Sequence, residues 1–315
     1  MTEKTAELFG PVTGDLARVE SELRKEIEGD PSEVSGPMLD LFEAGGKRIR
    51  PALLLLSARC GTYAVSRLLP AAMAVEVTHA ATLVHDDVID RATVRRGRPT
   101  VAAKLGDEPA IVIGDYYFAK SYELAARTES AEVVAILARV VMSICEGELR
   151  QQSIRYRYST DVSEYMRRIE AKTATLLAAC CDIGAVLGGV GDTQRLALRN
   201  YGRELGLAFQ IADDVLDYLA TEGEVGEPIG HDIVEGFATL PLLLSPVKLE
   251  DDRKLDDDEA RRVVDQVRNS QGPQRALEVA RHHAASAREE LRALGHNEAT
   301  VALASLADYV VSRKL

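Results

Sequence analysis

Apolar residues recur at three- and four-residue spacing along most of this chain, and strict two-residue alternation is scarce. That period lines apolar side chains along one face of a helix. It predicts helices over 68–90, 131–152, 162–187 and 193–219, segments rich in Ala, Leu, Glu and Arg, which favour helix. No sheet is predicted. Breakers are few. Gly45-Gly46 interrupts just before Lys47, and Gly97 to Pro99 closes the region after an acidic cluster. The stretch 221–230 holds three glycines and a proline and is the best candidate for a mobile loop. The acidic stretch 250–259 reads as a solvated connection between helices. Nothing resembles a long linker, so the reading is all-α, with residues 1–315 as a single helical domain.

Composition narrows what such a bundle can do. At 315 residues and 46% hydrophobic, the chain can build a sizeable core. The formal net charge of -12 argues against nucleic-acid binding, which needs a basic surface. An anionic ligand must therefore be held by a local cationic cluster or by metal, against the global field. No run of 18 apolar residues occurs, and the N-terminus lacks a basic start followed by an apolar stretch. Cys60, Cys145, Cys180 and Cys181 show no framework spacing. A cytoplasmic protein with reduced thiols is expected.

Two acidic clusters change the picture. Asp86-Asp87-Val88-Ile89-Asp90 and Asp213-Asp214-Val215-Leu216-Asp217 repeat one motif, each after an apolar helical stretch. On a helix Asp86 and Asp90 share a face, as do Asp213 and Asp217. Like charges at that spacing weaken a helix by on the order of a few tenths of a kcal/mol. A chain that does this twice needs a compensating cation. Mg²⁺ is the natural one: it takes oxygen ligands, commonly one or two carboxylates, and completes its shell with water and phosphate. Two facing clusters could hold several Mg²⁺ ions around one diphosphate. The bland alternative is a pair of solvated acidic helix ends.

Cations stand near these clusters in sequence. Lys47, Arg48 and Arg50 follow the glycine pair, and Arg95-Arg96-Gly97-Arg98 follows the first acidic cluster. Arginine forks match phosphate oxygens and lysine adds a point charge; either element alone could be a basic surface turn. His79 lies two helical turns before Asp86, on roughly the same face. Lys172-Thr173 falls inside an apolar segment, where a lysine either snorkels or faces a polar cavity. Gln210, three residues before Asp213, is better explained by a cavity than by a dry core.

Taken together, GGKRIRP (45–51), LVHDDVIDRATVRRGRPT (83–100), EGELRQQ (146–152), EAKTATL (170–176) and FQIADDVLD (209–217) resemble the trans-isoprenyl diphosphate synthase (polyprenyl synthetase) family, in its order and spacing. The resemblance covers essentially the whole chain. It implies an isoprenoid synthase fold, a helical bundle around a deep central cavity, usually in a homodimer. It implies that Lys47, Arg50, His79 and Arg96 bind isopentenyl diphosphate. Asp86, Asp90 and Asp213 would be the principal Mg²⁺ ligands, with Asp87, Asp214 and Asp217 assisting directly or through water. Arg95, Lys172, Thr173 and Gln210 would contact the allylic diphosphate. Metal with Arg95 and Lys172 would neutralise the departing diphosphate. The resulting allylic cation would be attacked by the isopentenyl double bond, and a proton lost to the released diphosphate. The product is expected to partition into membranes.

This chain departs from the family pattern twice. A lysine is common where it has Glu227, and another is often found where it has Phe237; neither position is taken as a binding residue. Product length in the family depends on side chains below the first cluster, here Ala81 and Thr82 one turn before Asp86 and Thr78 two turns before. All are small, so the resemblance implies a product longer than C20, with a floor supplied by Tyr116, Tyr117, Phe118 or Tyr122 unless these merely pack. Three other readings stand beside this one. They are a non-catalytic subunit tuning a synthase partner, a terpene cyclase of related fold, and a metal phosphohydrolase suggested by the His85-Asp86 pair.

Overall fold

The computed structural model describes residues 8–219 and 230–312. Glu227 and nearly all of the glycine-rich loop lie outside the described residues. In chain order the helices are α1 (Thr13–Glu28), α2 (Ser32–Glu43), α3 (Ile49–Ala58), α4 (Val65–Ile89), α5 (Val101–Leu105), α6 (Asp107–Ala126) and α7 (Ala131–Ser153). They continue as α8 (Val162–Ile169), α9 (Thr175–Gly188), α10 (Asp192–Leu219), α11 (His231–Val234), α12 (Leu240–Leu243), α13 (Asp257–Arg268), α14 (Gly272–Glu290) and α15 (Glu298–Ser312). The fold is all-α; among the described residues the one sheet is a small hairpin, β1 (Val94–Arg95) with β2 (Arg98–Pro99).

That hairpin is the exception to the expected absence of sheet. Arg96 and Gly97 both have positive φ, 51° and 74°, the requirement of the two-residue type I′ turn that matches strand twist. Arg95 pairs with Arg98 across it. A second departure lies in the acidic stretch 250–259, whose end is a helix cap. The Asp256 carboxylate accepts the Glu259 N–H at 2.8 Å, and the Glu259 carboxylate accepts the Asp256 N–H at 3.2 Å. This capping box satisfies N–H groups that the first turn of α13 would leave orphaned.

The chain forms two compact units. The first comprises residues 1–141, 179–199 and 293–303; the second comprises 142–178, 200–292 and 304–315. In the first unit α3 is apolar on all sides and buried throughout, except at Arg50 in its first turn. Leu53, Leu54, Leu55 and Leu56 are fully buried, each contributing about 1.5–3 kcal/mol of hydrophobic stabilisation. The C-terminal half of α9 reaches this helix closely because it presents glycines. A Cβ on Gly184 would lie 2.2 Å from the Leu54 carbonyl oxygen, and one on Gly188 would lie 2.8 Å from that of Ala58. The long helix α4 packs on α6 and α3.

In the second unit Tyr165, Ile169, Ala174, Leu207, Ile211 and Val215 form a core with Leu240, Ala276 and Ala280. Gly206 of α10 again permits close approach, since a Cβ there would meet the Ala174 Cα at 2.5 Å. Between α8 and α9, residues Glu170–Ala174 form a π-helical turn, a bulge found mostly at functional sites. The stretches Val65–Ile89 and Val162–Gly188 are long and apolar enough to cross a membrane. Their most apolar windows are 72% and 67% buried within the protein, as befits core helices.

Gly184→Ala forces a methyl group into backbone that cannot yield as a side chain can. It is expected to cost at least about 1–3 kcal/mol, measured as a lower midpoint in urea unfolding with an unchanged slope.

Candidate active site

The first acidic cluster closes α4, and the helix end makes it expensive. Asp90 is the C-cap, its N–H donating to the Asp86 carbonyl at 2.8 Å. A helix C-terminus carries partial negative charge, so carboxylates there are disfavoured by about 0.3–1 kcal/mol each. Asp86 and Asp90 are half-buried. Asp87 is turned inward, its side chain 3% exposed, and takes the Arg95 Nε–H at 2.7 Å. His85 faces elsewhere: its Nε2 lies 3.0 Å from the Ile111 carbonyl oxygen and its ring packs on Phe118 at 5.4 Å. It fits there because α6 offers Gly114, whose Cβ would sit 2.1 Å from the imidazole. With its ring so committed, His85 gives no support to a His–Asp metal pair for phosphohydrolysis.

The same unit gathers the cations. The hairpin lies across the glycine loop: Arg96 donates to the Gly45 carbonyl, Arg98 to the Asp40 carbonyl at 3.3 Å, and Arg98 also pairs with Glu43 at 3.7 Å. Gly45 has φ of 87°, a conformation glycine adopts without strain. Lys47 is exposed and Arg50 half-buried at the start of α3. His79 lies within the field of this cluster. Loss of hydration, then the charges of Arg50, Arg96, Arg95 and Arg48, hold its imidazole well below the ordinary value, so it is neutral at pH 7. A cleft of about 600 Å³ borders the loop, walled by Leu23, Phe42, Gly46, Lys47 and Arg48 among others. Its walls include none of Arg50, His79 and Arg96, and no role in anion binding is assigned to it.

In the second unit the other cluster lies in the last described turns of α10. Asp214 is 4% exposed and both its oxygens are occupied, by the Tyr165 hydroxyl at 2.6 Å and the Gln210 amide at 2.7 Å. Burial, reinforced by Asp232, pushes this carboxyl up. The Gln210 carbonyl in turn accepts the Thr173 hydroxyl at 2.7 Å. Asp213 and Asp217 are half-buried, and Asp217 accepts the Gly230 N–H at 3.2 Å. Lys172, on the π turn, donates to Glu148 at 2.7 Å, and Glu148 also accepts from Gln152 at 2.9 Å. Phe237 is 6% exposed and lies beneath the guanidinium groups of Arg155 and Arg168, each 5.7 Å from its centroid.

Among the described residues no three His, Cys, Asp or Glu side chains form a ready-made metal cage. Mg²⁺ does not require one, because it keeps water and phosphate in its shell and takes one or two carboxylates. Asp86 with Asp90, and Asp213 with Asp217, are oxygen donors four residues apart on half-buried helix faces, and they fit such a cation. Asp87 and Asp214, each already committed to neighbours, fit the role of orienting those ligands.

The chain-length positions lie on α4. Thr78 and Ala81 are fully buried and Thr82 is half-buried; the two threonine hydroxyls donate to the Ala74 and His79 carbonyls. Of the aromatic candidates on α6, Tyr116 donates to Asp30 at 2.9 Å and Tyr117 to the Val34 carbonyl at 3.4 Å.

Several features escaped the sequence reading. The π turn under Lys172, the Glu148 partner of that lysine and the Tyr165–Asp214 bond have no local signature. The hairpin had one, an X-Gly dipeptide flanked by residues that tolerate extension.

Comparison with known proteins agrees with the motif pattern. A model of the polyprenyl synthetase family matches residues 31–268. The heptaprenyl diphosphate synthase component 2 of Geobacillus stearothermophilus is 37% identical, covering 98% of this chain and 99% of its own. The nonaprenyl diphosphate synthase of Mycobacterium tuberculosis is 37% identical over 96% of this chain and 93% of its own. A solved polyprenyl synthase from Caulobacter crescentus, complexed with calcium and isoprenyl diphosphate, matches with a TM-score of 0.92 at 34% identity, over 99% of this chain and 98% of that one.

The depressed His79 has a measurable consequence. The unfolded imidazole protonates near its ordinary pKa of about 6.5 while the folded one does not, so its contribution to stability is lost as pH falls below that value toward the folded pKa. A diphosphate bound beside His79 would supply negative charge and raise the folded value. Calorimetry of pyrophosphate binding in buffers of different ionisation enthalpy, near pH 6, is expected to show proton uptake that His79→Gln reduces. Equal uptake in both proteins would refute the shift.

Proposed function

The chain belongs to the polyprenyl synthetase family, and on that premise we propose that it lengthens an allylic diphosphate with isopentenyl diphosphate by metal-assisted ionisation, releasing a product longer than C20. As a polyprenyl diphosphate synthase it is a trans-prenyltransferase. The observation that supports this reading is the presence, within one unit, of a carboxylate cluster (Asp86, Asp87, Asp90) and of cations (Lys47, Arg50, Arg96), with Arg50 and Arg96 acting on neutral His79. One diphosphate needs a metal and leaves; the other needs only cations and stays.

In this reading Asp86, Asp90, Asp213 and Asp217 bind Mg²⁺, with Asp87 and Asp214 orienting them. Bound Mg²⁺ supplies Lewis-acid stabilisation of the leaving diphosphate. Lys172 exchanges its Glu148 partner for phosphate oxygen, and Arg95 adds charge from its place on Asp87. Thr173 and Gln210, already linked, orient the allylic group. Lys47, Arg50, His79 and Arg96 hold isopentenyl diphosphate with its double bond near the cation, where proximity replaces a bimolecular encounter. The small buried side chains Thr78 and Ala81 support a long product, and the heptaprenyl and nonaprenyl names of two relatives point the same way. Residues 1–315 are proposed to act as one functional domain, located in the cytoplasm. A homodimer is also proposed, for which exposed Ile111 and Val112 on α6 supply apolar surface. One observation favours a second arrangement: the Geobacillus relative is named as component 2 of its synthase, so this chain could require a different partner subunit.

Purified chain alone, given Mg²⁺, an allylic diphosphate and radiolabelled isopentenyl diphosphate, is expected to form product, with chromatography reading its length. No product alone, restored by a second subunit, would establish the hetero-oligomer instead. Asp86→Asn is expected to lower kcat by at least about a hundredfold, as several kcal/mol of charge stabilisation are withdrawn. Ala81→Phe is expected to shorten the product; an unchanged length distribution would refute the open-shaft reading.

A further inference from the structure

Arg48 lies between two of the proposed isopentenyl diphosphate ligands, Lys47 and Arg50, yet its side chain is spent on the protein. Its Nε–H goes to Glu20 of α1 at 2.8 Å, an Nη1–H to Glu76 of α4 at 2.7 Å and an Nη2–H to the Phe42 carbonyl of α2 at 3.3 Å. The guanidinium also lies over the Phe42 ring, 5.4 Å from its centroid. Three helices thus converge on one fork, whose five donors in a fixed plane are what arginine offers and lysine does not. The pair with Glu76 is well buried, the side chains 13% and 8% exposed. Glu76 precedes His79 by three residues on α4, so it lies on the same face, one turn away.

The backbone is equally constrained. Arg48 is the N-cap of α3 with φ of 51°, the left-handed region, which an arginine holds only where its surroundings over-determine it. Gly46, two residues earlier, is approached from two directions: a Cβ there would lie 3.5 Å from both Arg48 Nη1 and Arg96 Nη1.

We infer that Arg48 is a positioning residue of the isopentenyl diphosphate site. It fixes the loop against α1, α2 and α4, so that Lys47 and Arg50 are presented in place and the diphosphate meets a preorganised cradle. Arg48 itself does not touch the diphosphate. This inference rests on the function proposed above and names a part of that site which the motif match leaves unassigned.

Charge and position predict opposite results for one substitution. Glu76→Gln removes a negative charge from beside an anion site, so electrostatics alone would tighten binding. Positioning requires the reverse, because Arg48 loses its buried partner and the loop its register. The expected result is a KM for isopentenyl diphosphate raised by about tenfold, the effect typical of losing an orienting neighbour, with kcat and the allylic KM little changed. Arg48→Lys, which keeps the charge and loses the fork, is expected to behave alike. Glu20→Gln, at the more exposed end, gives a smaller rise and serves if Glu76→Gln does not fold, as judged by circular dichroism. An unchanged or lowered KM in the folded variants, or a fall in kcat with KM constant, overturns the inference. Calorimetric titration of isopentenyl diphosphate into the full chain tests the same ranking without turnover. A wild-type chain that binds but forms no product would therefore count against the function and not against this role of Arg48.

Discussion

Holding negative charge inside an already acidic protein is the constraint on which the rest of the structure depends. The chain carries a net charge of -12 and still places three carboxylates within one turn, twice. Each cluster is stabilised by a neighbour that a solvated acidic surface would not need. Asp87 has Arg95, and Asp214 has Tyr165 and Gln210. The innermost member of each triplet is thereby fixed by the protein and the outer two are left half-buried. That division of labour is what a cation retaining its own water and phosphate ligands calls for.

The cationic elements obey the same logic from the other side. Burial first, and then the charges of the surrounding arginines, keep the His79 imidazole neutral, so it adds no further positive charge to that cluster. Arg48 is compensated by Glu20 and Glu76, Arg98 by Glu43, and Arg95 by Asp87. For these three arginines compensation is local, so the local balance of charge, and not the field of the whole molecule, decides where an anion can bind.

Helices and acidic motifs were legible in the sequence because both are short-range. The reading 193–219 falls within one residue of α10, and 131–152 within one of α7. What could not be read depends on partners distant along the chain. Lys172 is 24 residues from Glu148, and Tyr165 is 49 from Asp214; no spacing rule connects them. The apolar spacing of segment 162–187 predicts one helix, and that spacing does run through. The π turn at Glu170–Ala174 adds a residue to one turn without disturbing that average, so periodicity could not reveal it. The strands of the hairpin, two residues each, are too short to alternate visibly.

That brevity has its own consequence. In a ribbon of four paired residues the side chains take turns facing up and down, and nothing beyond them can absorb an error of phase. Arg95 meets Asp87, Arg96 caps the Gly45 carbonyl and Arg98 reaches Asp40 only because the bend sits between the second and third of these arginines. Lengthening the ribbon by a single amino acid would trade the upward and downward rows, so this stretch should evolve by replacement and almost never by insertion.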